Sequence, residues 1–377
     1  MKFLIAIDSF KGSMTSIDAG NAAALGIKRC IDDADIVVKS IADGGEGTVY
    51  SLVQGLNGKI KEVEVSNPLG RKTVAKYGII GDKAVVEMAE AAGISLIKKE
   101  ELNPMDTTTY GVGEIIKDAI SYGCRKFIVG IGGSATNDGG VGMLQALGFE
   151  FLDKNGNEVP FGAKSLGMIK EVKDKNVIPQ LKDCDFKIAC DVKNPLCGEN
   201  GCSRIFGPQK GADNDDIIKM DAGMENYASI TYKYNPKSDK NTPGAGAAGG
   251  LGFAFISYLG GKLQSGIEMI LNEINIEEYI KDADLVITGE GKIDKQTVMG
   301  KAPIGIARLA KKFNKPVLAF SGCVTRDASV CNEHGIDAIF PIVRTACALE
   351  EAMDNDNARK NMTDCVEQAI RLWMLGK

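Results

Sequence analysis

Apolar residues occur along the chain in short runs, most of which end at glycine, acidic or hydroxyl residues. Residues 2–7 and 36–41 each predict a buried strand, and each run leads towards a segment with apolar residues at helical spacing. From about residue 283 the same alternation of strands and helices returns, closing with a helix predicted over 361–375. Polar residues follow the strands, and ligands bind at the corresponding edge of an open parallel sheet.

The middle of the chain follows a different pattern. Residues 62–93 alternate between apolar and polar positions, with turn signals at Asn67-Pro68 and Gly81-Asp82. This pattern indicates antiparallel or mixed strands with no helices between them. The two ends of the sequence therefore share a pattern of alternating strands and helices, whereas the middle has a pattern of successive strands.

These patterns predict the α/β fold class with two domains. A Rossmann-like parallel-sheet domain is expected from residues 1–65 and 280–377 together. Residues 66–279 are expected to form an inserted second α/β domain with a mixed sheet. The active site is expected in the cleft between the two domains.

The region from 126 to 148 has the layout of strand, polar loop and helix. A buried strand is predicted over 127–129, and the following turn over 130–140 is rich in glycine and hydroxyl residues. Because helix N-termini present N–H groups and a favourable dipole, such a loop suits an anion. We interpret it as a phosphate or substrate loop. Its candidate residues are Gly133, Ser134, Asn137 and Asp138.

The same loop partly matches a dinucleotide-binding fingerprint. Gly130, Gly132 and Ala135 fit G-x-G-x-x-A, and Glu150 lies twenty residues after the first glycine. Two features oppose this interpretation: residues 136–140 delay the helix, and Glu150 lies in a predicted hairpin. An NAD-linked hydroxy-acid dehydrogenase is therefore a weaker alternative, and a non-catalytic sensor of sugar acids is another.

The composition is that of an ordinary globular protein. Of 377 residues, 44% are hydrophobic and 25% charged, and the net charge of −5 argues against a nucleic-acid partner. Residues 241–261 carry no charge, but Pro243 and a glycine cluster predict a tight loop before a buried helix, not a membrane span. No membrane partner is expected, and a monomer or a homodimer both remain open.

Ten cysteines without a C-x-x-C pair, and a single histidine at 334, make a structural zinc site improbable. The apolar start of the sequence ends too early, at Asp8, for a secretory signal. Scattered cysteines without export indicate a cytoplasmic protein with reduced thiols. With one histidine, a general base is better sought among the aspartates.

Loops after other predicted strands also carry acids, hydroxyls and lysines. They contain Asp8, Ser9 and Lys11; Asp43 and Glu46; Asp191, Asn194 and Lys210; and Gly289, Glu290, Lys292 and Asp294. A lone acid after a strand is often only a helix cap. Several such loops at inferred strand ends favour a ligand site. Neither a Walker A motif nor the protein-kinase H-R-D motif is present.

An ordered set of segments resembles the bacterial type I glycerate kinase family over nearly the whole chain. These segments are 8–16, 42–48, 130–148, 190–212, 244–255 and 288–303. The resemblance implies an ATP-dependent kinase that phosphorylates D-glycerate with Mg²⁺ as cofactor. It favours 2-phosphoglycerate as the product and leaves 3-phosphoglycerate open.

On this hypothesis each candidate receives an expected role. Asp191 is the first candidate for the group that accepts the hydroxyl proton, Asp43 is the second, and Lys11 is a catalytic cation. The expected metal ligands are Asp43, Glu46 and Glu290. Substrate or phosphate is expected at Asp8, Ser9, Gly133, Ser134, Asn137, Asp138, Asn194 and Lys210, and nucleotide at Gly289, Glu290, Lys292 and Asp294.

Overall fold

A computed structural model describes residues 1–45 and 47–376, and the chain divides into two units. The first unit comprises Met1–Asp43, Gln54–Leu56 and Ile267–Lys377, and the second comprises Gly44–Val53 and Asn57–Gly266. The domain ranges expected from the sequence differ from these units at 44–53, 57–65 and 267–279. Those ranges stay a prediction.

The strands of the described residues are β1 (Lys2–Ile7), β2 (Asp35–Ser40), β3 (Lys59–Ser66), β4 (Lys72–Ile80), β5 (Lys83–Glu87), β6 (Lys126–Gly130), β7 (Glu150–Leu152), β8 (Glu171–Lys173), β9 (Asp185–Ala189), β10 (Lys262–Gln264), β11 (Leu285–Ile293), β12 (Val317–Val324) and β13 (Ala338–Pro341). The helices are α1 (Ser16–Lys28), α2 (Thr48–Gly55), α3 (Ala89–Ala92), α4 (Tyr110–Ser121), α5 (Val141–Ala146), α6 (Cys202–Phe206), α7 (Asn214–Tyr234), α8 (Ala247–Leu259), α9 (Gly266–Glu273), α10 (Ile276–Asp282), α11 (Ala302–Lys312), α12 (Leu349–Met353) and α13 (Asn355–Met374).

The first unit is built on a five-stranded parallel sheet with the order β13-β12-β11-β1-β2. β1 is buried along nearly its whole length, as expected for a strand in the middle of a parallel sheet. α1 begins after Thr15, whose hydroxyl accepts a hydrogen bond from Asp18 N at 3.2 Å, and its small residues pack against α13.

Strand order in this sheet reverses direction between β1 and β11. From β1 the chain passes to β2 on one side, whereas β11, β12 and β13 follow one another on the other side. Asp8 N donates to Gly289 O at 2.9 Å and extends the pairing of the two strands beyond Ile7. In doubly wound sheets, ligands bind at the carboxyl ends of the strands at such a reversal.

The second unit contains a six-stranded mixed sheet with the order β10-β9-β6-β5-β4-β3. β10, β9, β6 and β5 run parallel, and β4 and β3 join them as an antiparallel meander. Together the two sheets confirm the predicted α/β fold class, with a parallel sheet from both ends of the chain and a mixed sheet between.

The predicted hairpin and the predicted loop before a buried helix are both confirmed. Asp153 N donates to Asn157 O at 2.8 Å in the turn of the hairpin that contains Glu150. The uncharged stretch folds as a glycine-rich loop leading into α8, whose residues are mostly buried. The loop after β9 contains α6, whose Cys202 and Ser203 are buried. No helix among the described residues combines the length and hydropathy needed to cross a bilayer.

Candidate active site

A cavity of about 420 Å³ lies in the first unit, where β1, β11 and β12 end. Asp8, Asp43 and Glu290 line it, together with Lys11 and Lys292. The position coincides with the reversal of strand order, so the fold itself places these side chains in one pocket.

The carboxylates of this cavity influence one another. Asp8 is buried, and the loss of hydration raises its pKa to about 7, with a further contribution from the negative charge of Asp43. Ser9 N donates to Asp8 Oδ1 at 2.6 Å and opposes this rise. Burial also raises the pKa of Glu290, the proximity of Asp43 adds to that rise, and its hydrogen-bond donors oppose it. Burial therefore disfavours the charged forms of Asp8 and Glu290, and a bound cation would stabilise those charged forms.

Glu290 is held by two residues that the sequence analysis did not select. Thr297 Oγ1 donates to Glu290 Oε1 at 2.7 Å, and Lys301 Nζ lies 3.1 Å from Glu290 Oε2. Lys301 also lines the cavity. Lys301 could have been recognised as a candidate, because it occupies the N-cap position of α11, where the helix dipole disfavours a cation.

The other residues that were predicted to bind the nucleotide do not line the cavity. A Cβ on Gly289 would lie 2.1 Å from Phe320 O, so strand packing alone requires glycine there. Asp294 accepts from Gln296 N at 2.8 Å and pairs with Lys292 Nζ at 3.1 Å. Glu46, expected as a metal ligand, lies outside the described residues.

A second group of candidates lies in the second unit, where β6 and β9 end. Gly132 and Gly133 are exposed, Ser134 is half-buried, and Gly133 O accepts from Ile94 N at 2.9 Å. Asp191 follows β9 and is exposed, and Gly266 N donates to its Oδ1 at 3.2 Å. The loop thus offers backbone groups, a hydroxyl and a carboxylate to a ligand.

Asn137 and Asp138 lie beneath this loop and are buried. Asn137 Nδ2 donates to Ser203 Oγ at 2.9 Å, and Asp138 accepts from Thr109 N at 2.8 Å and Gly140 N at 3.0 Å. Direct ligand contact is expected from the sequence for both side chains. Their burial among protein partners instead indicates that they shape the loop.

Lys210 is likewise enclosed by protein groups. It is buried, and its Nζ donates to Ser134 Oγ at 2.8 Å and to Thr136 O at 2.6 Å. Burial lowers the pKa of Lys210 to about 8, while the nearby Asp138 favours the charged form. Lys210 Nζ therefore contacts the loop, and the expected contact with phosphate stays a prediction. Asn194 likewise donates from Nδ2 to Asn200 O at 2.9 Å within its own loop.

Within the described residues, no three histidine, cysteine, aspartate or glutamate side chains converge tightly enough to hold a metal on their own. Mg²⁺ usually binds through only one or two carboxylates, with water and substrate phosphates completing its shell. Asp43 and Glu290 provide oxygen donors of this kind in the cavity of the first unit.

The partial dinucleotide fingerprint lacks its structural context. β6 ends at Gly130, but α5 begins only at Val141. Glu150 starts β7, which pairs antiparallel with β8, so it does not follow a strand of a βαβ unit. The structure therefore agrees with both objections to an NAD site at this loop.

Comparison with known proteins decides the family. The sequence model described as "Glycerate kinase family" matches residues 3–374. The chain belongs to the glycerate kinase family. It is 49% identical to a protein named glycerate kinase from Haemophilus influenzae, over 99% of this chain and 98% of that relative. It is 46% identical to a glycerate 2-kinase from Escherichia coli K12, over 93% of each chain.

A solved structure supports the same assignment. The chain is similar to a Salmonella typhimurium LT2 protein assigned as glycerate kinase 2, with a TM-score of 0.92 and 40% identity. The match covers 100% of this chain and 99% of the other. Membership of the glycerate kinase family identifies an enzyme, confirms the resemblance of the ordered motifs, and favours a kinase over a dehydrogenase or a sensor.

Proposed function

We propose that this member of the glycerate kinase family transfers the γ-phosphoryl group of ATP to the 2-hydroxyl of D-glycerate. The products are 2-phosphoglycerate and ADP. The name of the Escherichia coli relative, glycerate 2-kinase, supports this position over the 3-hydroxyl. We also propose a cytoplasmic location, where its cysteines stay reduced.

The cavity of the first unit carries this proposal. Phosphoryl transfer depends on positioning and on neutralising the charge of the phosphates. Lys11, Lys292 and Lys301 line a pocket at the strand-order reversal, and their ammonium groups suit a polyphosphate. We place the phosphates of ATP beside these lysines.

Mg²⁺ fits the same cavity. Burial raises the pKa of Asp8 to about 7, with a further contribution from the charge of Asp43, so a cation would stabilise the charged carboxylates there. We propose Asp43 and Glu290 as the ligands, with Glu46 as the further ligand expected from the sequence. When bound, Mg²⁺ would neutralise charge on the phosphate oxygens.

The acceptor is assigned to the second unit. Ser134 and the exposed backbone of Gly132 and Gly133 offer hydrogen bonds to its carboxylate and hydroxyl groups. We propose Asp191 as the base, with Asp43 as the second candidate. The base takes the hydroxyl proton while the hydroxyl oxygen bonds to the γ-phosphorus and the bond from phosphorus to the ADP oxygen breaks. Asn137, Asp138 and Lys210 position the loop without touching the acceptor.

An ADP-release assay with D-glycerate, L-glycerate and related hydroxy acids tests this proposal. ADP release that requires both D-glycerate and Mg²⁺ is expected, and NMR of the product should show phosphate on the 2-oxygen. A 3-phosphoglycerate product would overturn the regiochemistry alone. Glycerate binding without ADP release, or NAD reduction in its place, would overturn the kinase assignment.

A further inference from the structure

Ser134 contacts an enclosed amine and lies in an open part of its loop. Lys210 Nζ donates to Ser134 Oγ at 2.8 Å, and Lys210 is only 1% exposed. Ser134 is half-buried, and the preceding residues Gly132 and Gly133 are exposed. A Cβ built on Gly132 would meet no atom within 4 Å, so open space adjoins this part of the loop. The proposed phosphoryl transfer gives neither the serine oxygen nor the lysine nitrogen a covalent or proton-transfer step.

The amine of Lys210 is suited to act as a base. Burial lowers its pKa to about 8, while the nearby Cys202 and Asp138 favour the charged form. Its hydrogen bonds go to the Ser134 hydroxyl and, at 2.6 Å, to Thr136 O, and both of these groups are uncharged. Near pH 8 a large share of the molecules therefore holds a neutral amine, which accepts a proton readily.

The three groups have the arrangement of an activated nucleophile. A hydroxyl is activated when a base lies within hydrogen-bond reach, roughly 2.6–3.2 Å, and a third group orients that base. The separation of Lys210 Nζ and Ser134 Oγ lies within this range. Thr136 O is the third group, because its hydrogen bond fixes the direction of the amine.

The backbone on both sides of Ser134 is held by one neighbouring segment. Ile94 N donates to Gly133 O at 2.9 Å, and Ala135 N donates to Ala92 O at 2.9 Å. Because both neighbours of Ser134 are fixed, its hydroxyl is positioned beside the amine before a substrate binds.

We propose that Ser134 and Lys210 form a nucleophile and base pair that hydrolyses small carboxylic esters, an activity beyond the proposed phosphoryl transfer. Lys210 Nζ takes the hydroxyl proton while Ser134 Oγ bonds to the carbonyl carbon, and the departing alkoxide then receives that proton. Water attacks the acyl-serine, its proton passes through the same amine to Ser134 Oγ, and the acid is released. The overall change is ester plus water to acid plus alcohol, with no change of oxidation state.

The ester 4-nitrophenyl acetate, supplied to the full chain without ATP, Mg²⁺ or D-glycerate, tests this pair. A burst of about one equivalent of 4-nitrophenol is expected, and peptide mapping by mass spectrometry should find the acetyl group on Ser134. Ser134→Ala should lose the burst. Ser229→Ala removes an exposed serine whose Oγ donates to Glu225 O at 2.9 Å, and this control should keep the wild-type burst.

Lys210→Arg tests the base. Arginine stays protonated, so the acylation rate should fall by about 10²-fold or more. In the wild type the rate, after subtraction of the rate for Ser134→Ala, should rise with pH through about 8, where Lys210 loses its proton. A wild-type rate in Lys210→Arg, or a rate independent of pH, would overturn the role of Lys210. If Lys210→Arg does not fold, as judged by circular dichroism, the pH profile still decides.

The outcomes also distinguish this inference from the proposed function. ADP release with D-glycerate, but no acetyl group on Ser134, would overturn the pair and leave the kinase standing. Acetyl groups found only on lysines or cysteines would overturn the pair as well. Acetylated Ser134 in a protein that releases no ADP would support the pair and overturn the kinase.

Discussion

Asp138 and Asp191 follow adjacent strands of the second unit, but their carboxylates meet different surroundings. Asp138 is buried and accepts several hydrogen bonds from N–H and hydroxyl groups of the protein. Asp191 is exposed beyond the end of β9. Only an accessible carboxylate can accept a proton from a bound acceptor, so the two residues must act in different ways.

The first prediction concerns Asp191. Asp191→Asn should lower kcat by about 10²–10⁴-fold, because the amide cannot accept the hydroxyl proton. The KM for ATP and the melting temperature should change little, since the side chain is exposed and Asn can still accept from Gly266 N. Steady-state kinetics with D-glycerate measures the effect.

Asp183 provides the matched control. It is an exposed aspartate just before β9, at the opposite end of the strand from Asp191. Asp183→Asn should retain wild-type turnover. Wild-type kcat in Asp191→Asn would transfer the proposed base role to Asp43, whose own Asn variant would then be measured.

The second prediction concerns pH and Lys210. Its pKa is lowered by burial to about 8, against 10.5 for an ordinary lysine. Between these pH values the unfolded chain binds more protons than the native state, so this lysine's contribution to stability rises with pH. The free energy of unfolding of the wild type relative to Lys210→Met should therefore rise by up to about 1.4 kcal/mol per pH unit in that window.

Urea unfolding at pH 7, 8, 9 and 10, followed by circular dichroism, measures this slope. Lys219→Met, at an exposed position of α7, controls for the loss of a charge. A difference between the wild type and Lys210→Met that is independent of pH would contradict the lowered pKa.

At this scale the sequence predicted which residue types follow the strands, and the structure brings several of them into one cavity. It could not predict which would be buried. Asp138 is enclosed by Thr109, which lies earlier in the chain, and Lys210 reaches Ser134 from a distant loop. Burial of a polar side chain depends on such long-range partners, which the local spacing of residues does not predict.

At the scale of elements, α8 contains an unusual turn near its start. Ala248, Gly249 and Gly250 all have positive φ values, of 52°, 65° and 91°. Gly249 O accepts from Gly139 N at 2.9 Å, so this turn packs against the loop that carries Ser134. A left-handed conformation costs an ordinary residue roughly 1–2 kcal/mol.

The third prediction uses the two neighbouring positions. Ala248→Gly should raise stability by about 1 kcal/mol or less, because glycine adopts φ +52° without the steric cost of a Cβ. Gly249→Ala should lower stability by about 1–3 kcal/mol, because its Cβ would lie 2.1 Å from Thr136 O. Thermal unfolding of both variants measures the difference. A stabilised Gly249→Ala variant would contradict the packing described.

The elements themselves were well predicted because apolar runs and turn signals are local. Sheet order was less accessible. Phe3 pairs with Leu285, and Val129 pairs with Ile188, and neither pairing has a signal in the spacing of nearby residues. The burial of Cys202 in α6 likewise depends on packing with α7 and α8, which local spacing does not indicate.

At the scale of the whole molecule, the fourth prediction concerns where each ligand protects the backbone. A ligand at 100 times its Kd stabilises the native state by about 2.7 kcal/mol. Hydrogen exchange then slows at the amides whose local opening would disrupt the ligand site. ADP should slow exchange in peptides covering 9–14, 290–293 and 343–353. D-Glycerate should slow it in peptides covering 131–135 and 190–192.

Exchange measured by mass spectrometry with each ligand alone checks both assignments. Peptides from β3 and β4, which carry no candidate residue, provide the internal control. Protection of the first unit by D-glycerate, with none around Ser134 and Asp191, would reverse the assignment of the acceptor.

The pairing of β1 with β11 also determines when the parallel sheet of the first unit can form during synthesis on a ribosome. β1 emerges first, but its partner on one side is made about 280 residues later. At about 5–20 residues per second, synthesis leaves that edge of β1 without its native neighbour for roughly 15–60 s. All residues of the second unit are made in that interval. The first unit would therefore be the last part to mature, and the unpaired edge of β1 would be open to pairing with other chains in the meantime.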